Sequence, residues 1–314
     1  MKFTTLPGWV SPALKCTIGL SIVIWLVMRF NPAELIATLS AMDLLLICAA
    51  LVVYALTLLV LALRWRFVLS RMGYQVPVWC AYQGFAAGIL ISDLTPARLG
   101  ELSRPLTIRD RVPVPAGLGS VFLDRYCDFI ALFILGTGGL LLLSAFRSPE
   151  IMIVMALLLT IPITILTAFW VRREWALFLI RKVGIRQISD FSHTLCDALD
   201  SLKTPGQTMG IALSLTLSAW FLQSLRLVLI VAAAGYIVPI QELVLIQPLI
   251  SSLALLPISL SGLGIVEGGY VSLFTWYGIP AAAGLAIALL DRALTVGFHL
   301  IVGIRYALRT VGSP

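Results

Sequence analysis

The chain has 314 residues, of which 60% are hydrophobic and 12% charged, with a net charge of +7. Soluble domains carry about 25% charged residues, so this composition excludes an ordinary soluble enzyme and points to a membrane protein. Five scattered cysteines without C-x-x-C spacing and only two histidines exclude a disulfide framework and a structural zinc site, and no cofactor is expected.

Several apolar runs reach the roughly 20 residues that a bilayer-spanning helix needs. In chain order they cover 16–28, 44–63, 118–143, 151–171, 209–234, 238–260 and 281–302. The runs at 78–94 and 266–276 are shorter or interrupted. Basic residues cluster in the segments around Arg64 to Arg71, Arg98 to Arg111, Arg172 to Lys203, and Arg305 with Arg309. The positive-inside rule puts all four clusters in the cytoplasm, with both termini. The segment 78–94 must then enter the membrane and return. Asp93, Thr95, Pro96 and Gly100 supply its polar, helix-breaking tip. Non-helical backbone at membrane depth requires protein or a water-filled cavity around it.

The chain also repeats itself. Leu63-Arg64 followed by Gly73-Tyr74-Gln75-Val76-Pro77 recurs as Leu225-Arg226 followed by Gly235-Tyr236-Ile237-Val238-Pro239, at a constant offset of 162 residues. Each copy continues through a proline-broken stretch to a glutamate near glycines, Glu101 and Glu267, and then to an Asp-Arg pair, Asp124-Arg125 and Asp291-Arg292. With the second break at 257–264, the reading is an all-α polytopic protein. It is one membrane domain over 1–314, an inverted-topology repeat of about 44–145 and 207–306 with two re-entrant broken-helix units. Such repeats place a transport site near the midplane between the halves. The segment 172–205 reads as a cytoplasmic amphipathic connector, with Ile188, Phe191, Leu195 and Leu199 at helical spacing.

Charge inside a membrane costs at least ~2.5–3.5 kcal/mol per residue on insertion scales, so each intramembrane charge is a functional candidate. Arg125 and Asp128, three apart on one helix, can pair along one face. These charges either pin the halves together or lend positive potential to a central cavity. In the loop from Pro96 to Arg104, Arg98 and Arg104 flank Glu101 at −3 and +3, an arrangement suited to gripping a phosphate. The candidate substrate site is therefore Arg98, Glu101, Arg104, Asp124, Arg125, Asp128, Glu267, Asp291 and Arg292. His299 reads as a satisfied buried polar residue in preference to a proton relay.

The ordered motifs P-x-R-x-G-E-x-x-R (Pro96 to Arg104), D-R-x-x-D (Asp124 to Asp128), S-G-L-G-x-x-E (Ser261 to Glu267) and the late D-R resemble the lysylphosphatidylglycerol synthase transmembrane-region family, over about 44–309. In bifunctional members this region is a flippase and a cytosolic synthase domain follows. The chain stops at Pro314, so the resemblance implies lipid translocation without aminoacylation. Relatives linked to hopanoids and to polyprenyl-phosphate-linked sugars leave the lipid open. The expected function is a translocator of an anionic or head-group-modified lipid in the cell membrane. Its partners are membrane lipids, an upstream lipid-modifying enzyme and a second copy of the chain, and no nucleic acid. No Walker motif is present, so movement is downhill or ion-coupled. The alternatives are a membrane-embedded transferase or hydrolase using Asp93, Glu101 and Asp124 on a metal–diphosphate, a small-solute transporter, or a non-transporting subunit.

Overall fold

The structure is a computed structural model that describes residues 10–95, 99–142, 149–171, 200, 202, 204–256 and 258–311. Among these are ten α-helices. They are α1 (Val10–Arg29), α2 (Pro32–Ala41), α3 (Leu44–Arg71), α4 (Val78–Asp93), α5 (Val114–Leu142), α6 (Pro149–Val171), α7 (Pro205–Ala233), α8 (Ile240–Ser252), α9 (Ile265–Trp276) and α10 (Ala281–Val311). Short 3-10 helices follow α4 (Leu99–Ile108) and α8 (Leu253–Leu255). Among the described residues, three helices are long and apolar enough to cross a membrane, at Leu44–Arg71, Pro205–Ala233 and Ala281–Leu308. Large apolar side chains such as Leu45, Trp79, Ile237 and Ile301 are exposed. An apolar exterior of this kind suits lipid as the solvent.

The first apolar run does not end as a simple span. It bends by 89° into α2, a helix the hydropathy pattern did not suggest. The local cause is Asn31-Pro32. The Asn31 side chain accepts from the Ala33 amide at 3.2 Å, and proline occupies the first helical turn. Both are helix-start chemistry.

The two halves follow the same order from α3 to α5 and from α7 to α10, with a 3-10 helix (Leu99–Ile108) in the first where α9 stands in the second. α3 and α7 end at equivalent positions, with Gly73 and Gly235 in left-handed conformation at φ 92° and 83°. Tyr74 N donates to Leu69 O at 2.9 Å, as Tyr236 N donates to Val231 O at 3.1 Å. Pro77 then caps α4 and Pro239 caps α8. Both broken units are helices that stop, turn and resume. In the second, Ser261, Gly262 and Gly264 all have positive φ, which the Ser-Gly-Leu-Gly run tolerates best at its glycines.

Packing is reciprocal across the halves. α3 lies along α7, α4 packs on α10, and α8 packs on α5. Glycine permits each exchanged contact. A Cβ on Gly303 of α10 would sit 2.7 Å from the Ala86 carbonyl carbon and the Ala87 amide nitrogen of α4. A Cβ on Gly139 of α5 would sit 2.4 Å from the Leu245 carbonyl of α8. Small residues that let backbones approach drive helix association where lipid removes the hydrophobic incentive. The larger apolar core gathers α7, α8, α9 and α10, with Leu132 and Leu159 from the first half. A second cluster joins α3, α4 and the turn after α4.

Candidate functional site

Arg64 lies inside α3 and is fully buried. Its position corrects the sequence-based expectation of a cytoplasmic loop. Its Nε lies 2.7 Å from Asp124 Oδ1, and its Nη1 reaches Asp128 and, at 2.6 Å, Thr216 Oγ1 of α7. Arg104 is also fully buried. It donates to Asp124 Oδ2 and to Glu101 Oε2, each at 2.7 Å. Its guanidinium carbon lies over Phe85 at 4.2 Å and over Trp65 at 5.7 Å from the ring centroids. Glu101 also pairs with Arg125, which stands only 3.9 Å from Asp128. The expected Arg125–Asp128 pairing is therefore the weaker contact, and Glu101 is the main partner. Three arginines and three carboxylates form one neutral cluster.

The second half repeats its core. Arg226, the counterpart of Arg64, places Nε 3.0 Å from Asp291 Oδ1 and Nη2 3.1 Å from Asp291 Oδ2. Arg292, the counterpart of Arg125, pairs with Glu267. Glu267 has a second task. Its Oε2 accepts from the Gly264 amide at 2.6 Å, so from the third helical position it caps the start of α9, the half of a capping box that a glycine N-cap allows. The G-L-G-x-x-E motif is thus a helix start whose capping carboxylate is shared with an arginine.

Between the halves is a cavity of about 220 Å³. Pockets that enclose drug-sized ligands measure ~300–1,000 Å³, so this volume suits a head group and not a whole lipid. Arg64, Arg125, Arg226 and Arg292 line it, with Asp128, Glu267 and Asp291. Neutral polar groups, Thr216, Gln223 and Gln247, complete the wall. Arg64 Nη2 is buried without a hydrogen-bond partner among the described residues.

Of the residues singled out from sequence, Glu101, Asp128, Arg125, Glu267, Asp291 and Arg292 meet at this cavity. Arg104 and Asp124 stand behind the wall, committed to each other and to Arg64 and Glu101. Arg104 is therefore a buried brace held by two carboxylates, and neither a solvated loop residue nor part of the cavity wall. Arg98 and most of the 172–205 connector lie outside the described residues. The expected surplus of positive potential is absent among the described groups, because each lining arginine is matched by a carboxylate. Asp93, Glu101 and Asp124 do not share a ligand position: Asp93 faces His299, and the other two are held by Arg104. Among the described residues, no three His, Cys, Asp or Glu side chains stand ready to hold a metal.

Sequence reasoning missed Arg64, Arg226 and Tyr54 as cavity residues. Arg64 and Arg226 had a signal, since both belong to the repeated Leu-Arg.

Fold and site together define an all-α membrane protein with a charge-lined cavity between two matching halves. The chain belongs to the lysylphosphatidylglycerol synthase TM region family, whose model matches residues 13–303. It is 26% identical over 311 residues to a UPF0104 membrane protein of Methanothermobacter thermautotrophicus, covering 90% of this chain and 87% of that protein. A UPF0104 membrane protein of Methanocaldococcus jannaschii is 21% identical over 313 residues, covering 93% and 89%. The glycosyltransferase AglD of Haloferax volcanii is 29% identical over 119 residues, which is 36% of this chain and 18% of that protein.

Proposed function

We propose that the protein moves an anionic or head-group-modified lipid between membrane leaflets, without chemistry on the lipid. The observation that carries this reading is the cavity between the halves, walled by arginines whose carboxylate partners sit beside them. Arginine's planar fork matches phosphate oxygens. Arg125 and Arg292 are each partly exposed at 23%, so a phosphate can approach them from the cavity while each keeps its carboxylate partner, and no buried charge is left alone, which is the expensive state. The head group would enter against Arg64 Nη2, Arg125, Arg226 and Arg292, while its chains remain in lipid. Membership of the family supports a lipid-related role.

The two halves are read as inverted, with the axis relating them in the membrane plane and the cavity near the midplane. Reciprocal packing of α4 on α10 and α8 on α5 supports a two-fold relation. The basic residues near Arg71 and Arg109 support the orientation, with both termini in the cytoplasm.

The test is reconstitution in vesicles of phosphatidylcholine and phosphatidylglycerol carrying a trace of NBD-labelled phosphatidylglycerol. Dithionite bleaches the outer-leaflet label. Vesicles with protein are expected to bleach beyond the outer-leaflet fraction, and vesicles with Arg292→Ala to fall back towards protein-free vesicles. Bleaching equal to protein-free vesicles with folded wild-type protein would overturn the reading.

A further inference from the structure

Each carboxylate in the described charge network is held by an arginine, with one exception. Asp93, at the end of α4, faces His299 of α10: His299 Nδ1 lies 2.8 Å from Asp93 Oδ2. The other ring nitrogen, Nε2, meets the Tyr54 hydroxyl of α3. Both Tyr54 and His299 are buried, and all three residues line the cavity. We infer that the Asp93–His299–Tyr54 triad is the proton-binding site that couples head-group movement to a proton gradient. This rests on the translocation reading above.

Arginine cannot lose its proton in a protein, whereas an imidazole exists in both protonation states. Asp93 is therefore paired with the one counter-charge in the network that can be switched off. The described network has five arginines (Arg64, Arg104, Arg125, Arg226, Arg292) and six carboxylates (Asp93, Glu101, Asp124, Asp128, Glu267, Asp291). Its charge is −1 with neutral His299 and zero with imidazolium, so proton binding removes a negative charge that would oppose an anionic head group.

The proton has a defined entry. A carboxylate only accepts, so in the neutral ring Nδ1 carries the hydrogen towards Asp93, and Nε2 accepts from the Tyr54 O–H. An incoming proton binds Nε2, and the Tyr54 hydroxyl turns from donor to acceptor. No other bond changes.

The neighbours of His299 are accounted for. On its own helix, Asp291 and Arg292 stand two turns away and are paired with Arg226 and Glu267, and Arg305, on the other side, is exposed. From α7, Arg226 lies 4.9 Å from the Tyr54 ring centroid. From the turn after α4, Glu101 and Arg104 are bound to each other. From α3, Arg64 is held by Asp124 and Asp128. α2 brings Glu34, which is exposed, and α1 brings Lys15 and Arg29, half-buried and exposed. α9 brings Glu267 and the buried Tyr270. The face of α10 at 291, 295 and 299 joins the head-group arginines to the triad.

The test uses the full chain in vesicles with labelled phosphatidylglycerol, the membrane potential clamped at zero with potassium and valinomycin, and a trapped pH dye. With one proton per lipid, a gradient of one pH unit supports about a tenfold leaflet asymmetry of the label, with lipid-dependent proton uptake. His299→Gln and Asp93→Asn should each abolish both signals. If wild type moves the label but distributes it equally under the gradient, the inference is overturned and translocation stands. Asymmetry that persists in folded His299→Gln also overturns it. If wild type moves no label at all, the translocation reading fails and takes this one with it. The wild-type arm decides even where a variant does not fold.

Discussion

Arg104 and Asp124 meet through Nη1 and Oδ2 at 2.7 Å, with neither side chain exposed to any degree. A buried ion pair contributes little net stability when intact, but removing one partner typically costs 3–5 kcal/mol. Arg104→Ala should therefore lower the thermal midpoint in detergent by an amount equivalent to ~3–5 kcal/mol. The double change Arg104→Met with Asp124→Leu should recover much of the loss. It leaves Arg64 with Asp128 and Glu101 with Arg125, so charge stays balanced. Fluorescence-detected thermal unfolding checks both variants.

The helices were largely legible in the sequence, because apolar length is a local signal and a membrane tolerates few alternatives. The two breaks were legible too, read at Asp93 to Gly100 and at Pro257 to Gly264, where α4 ends at Asp93 and the 3-10 turn after α8 ends at Leu255. Arg64 was not. An arginine at the end of an apolar run reads as an inside-facing flank, and its burial is set by Asp124, 60 residues away and on another helix. The Asp93–His299 contact spans 206 residues and three helices meet at it, so no spacing rule could reveal it. α2 was hidden for the opposite reason. Its signal, Asn31-Pro32, was local and present, but it sat beside a stronger hydropathy signal.

Arg64 and Arg226 occupy equivalent places with unequal duties. Arg64 bridges two aspartates and Thr216, while Arg226 holds one aspartate, Asp291, and lies over the Tyr54 ring. A lysine offers a compact point charge and cannot reproduce the fork. Arg64→Lys should thus destabilise more than Arg226→Lys, by about 1–3 kcal/mol for the hydrogen bonding left unmade. Equal midpoints for the two variants would show that the bridging geometry carries no weight.

Arg125 separates binding from scaffold. Its side chain is 23% exposed where that of Arg104 is 0%, so water can solvate what a mutation leaves behind. Arg125→Ala should reduce labelled-lipid movement by about tenfold or more, an amount worth ~1.4 kcal/mol, while shifting the thermal midpoint less than Arg104→Ala. Arg125→Lys should restore movement only in part, since bidentate contact is lost. Full activity in Arg125→Ala would remove this side chain from the head-group path.

Topology is open to direct measurement. With every native cysteine replaced, single cysteines at positions 71 and 109 should label from the cytoplasmic side and one at 235 from the opposite side. The motivation is the basic residues flanking α4, which under the positive-inside rule are expected on the same face. Labelling of 71 and 109 from opposite faces would mean that α4 crosses the membrane outright, and the inverted relation between the halves would be lost.

Gly139 and Gly303 test the reciprocal packing. Each lies against backbone of a helix from the other half, and backbone cannot move aside as a flexible side chain can. Gly303→Leu should force α10 away from α4, and Gly139→Leu should force α5 away from α8. Overpacking typically costs 1–3 kcal/mol, so each single variant should lower the thermal midpoint measurably. Because α10 carries Asp291, Arg292 and His299, while α5 carries Asp124, Arg125 and Asp128, either displacement should also weaken lipid movement. The glycines at 206 and 210 serve as controls, since a Cβ there meets nothing within 4 Å. Gly210→Ala should be neutral or stabilising by up to ~1 kcal/mol through helix propensity. If Gly303→Leu and Gly210→Ala behave alike in both midpoint and lipid movement, close helix approach is not what joins the two halves.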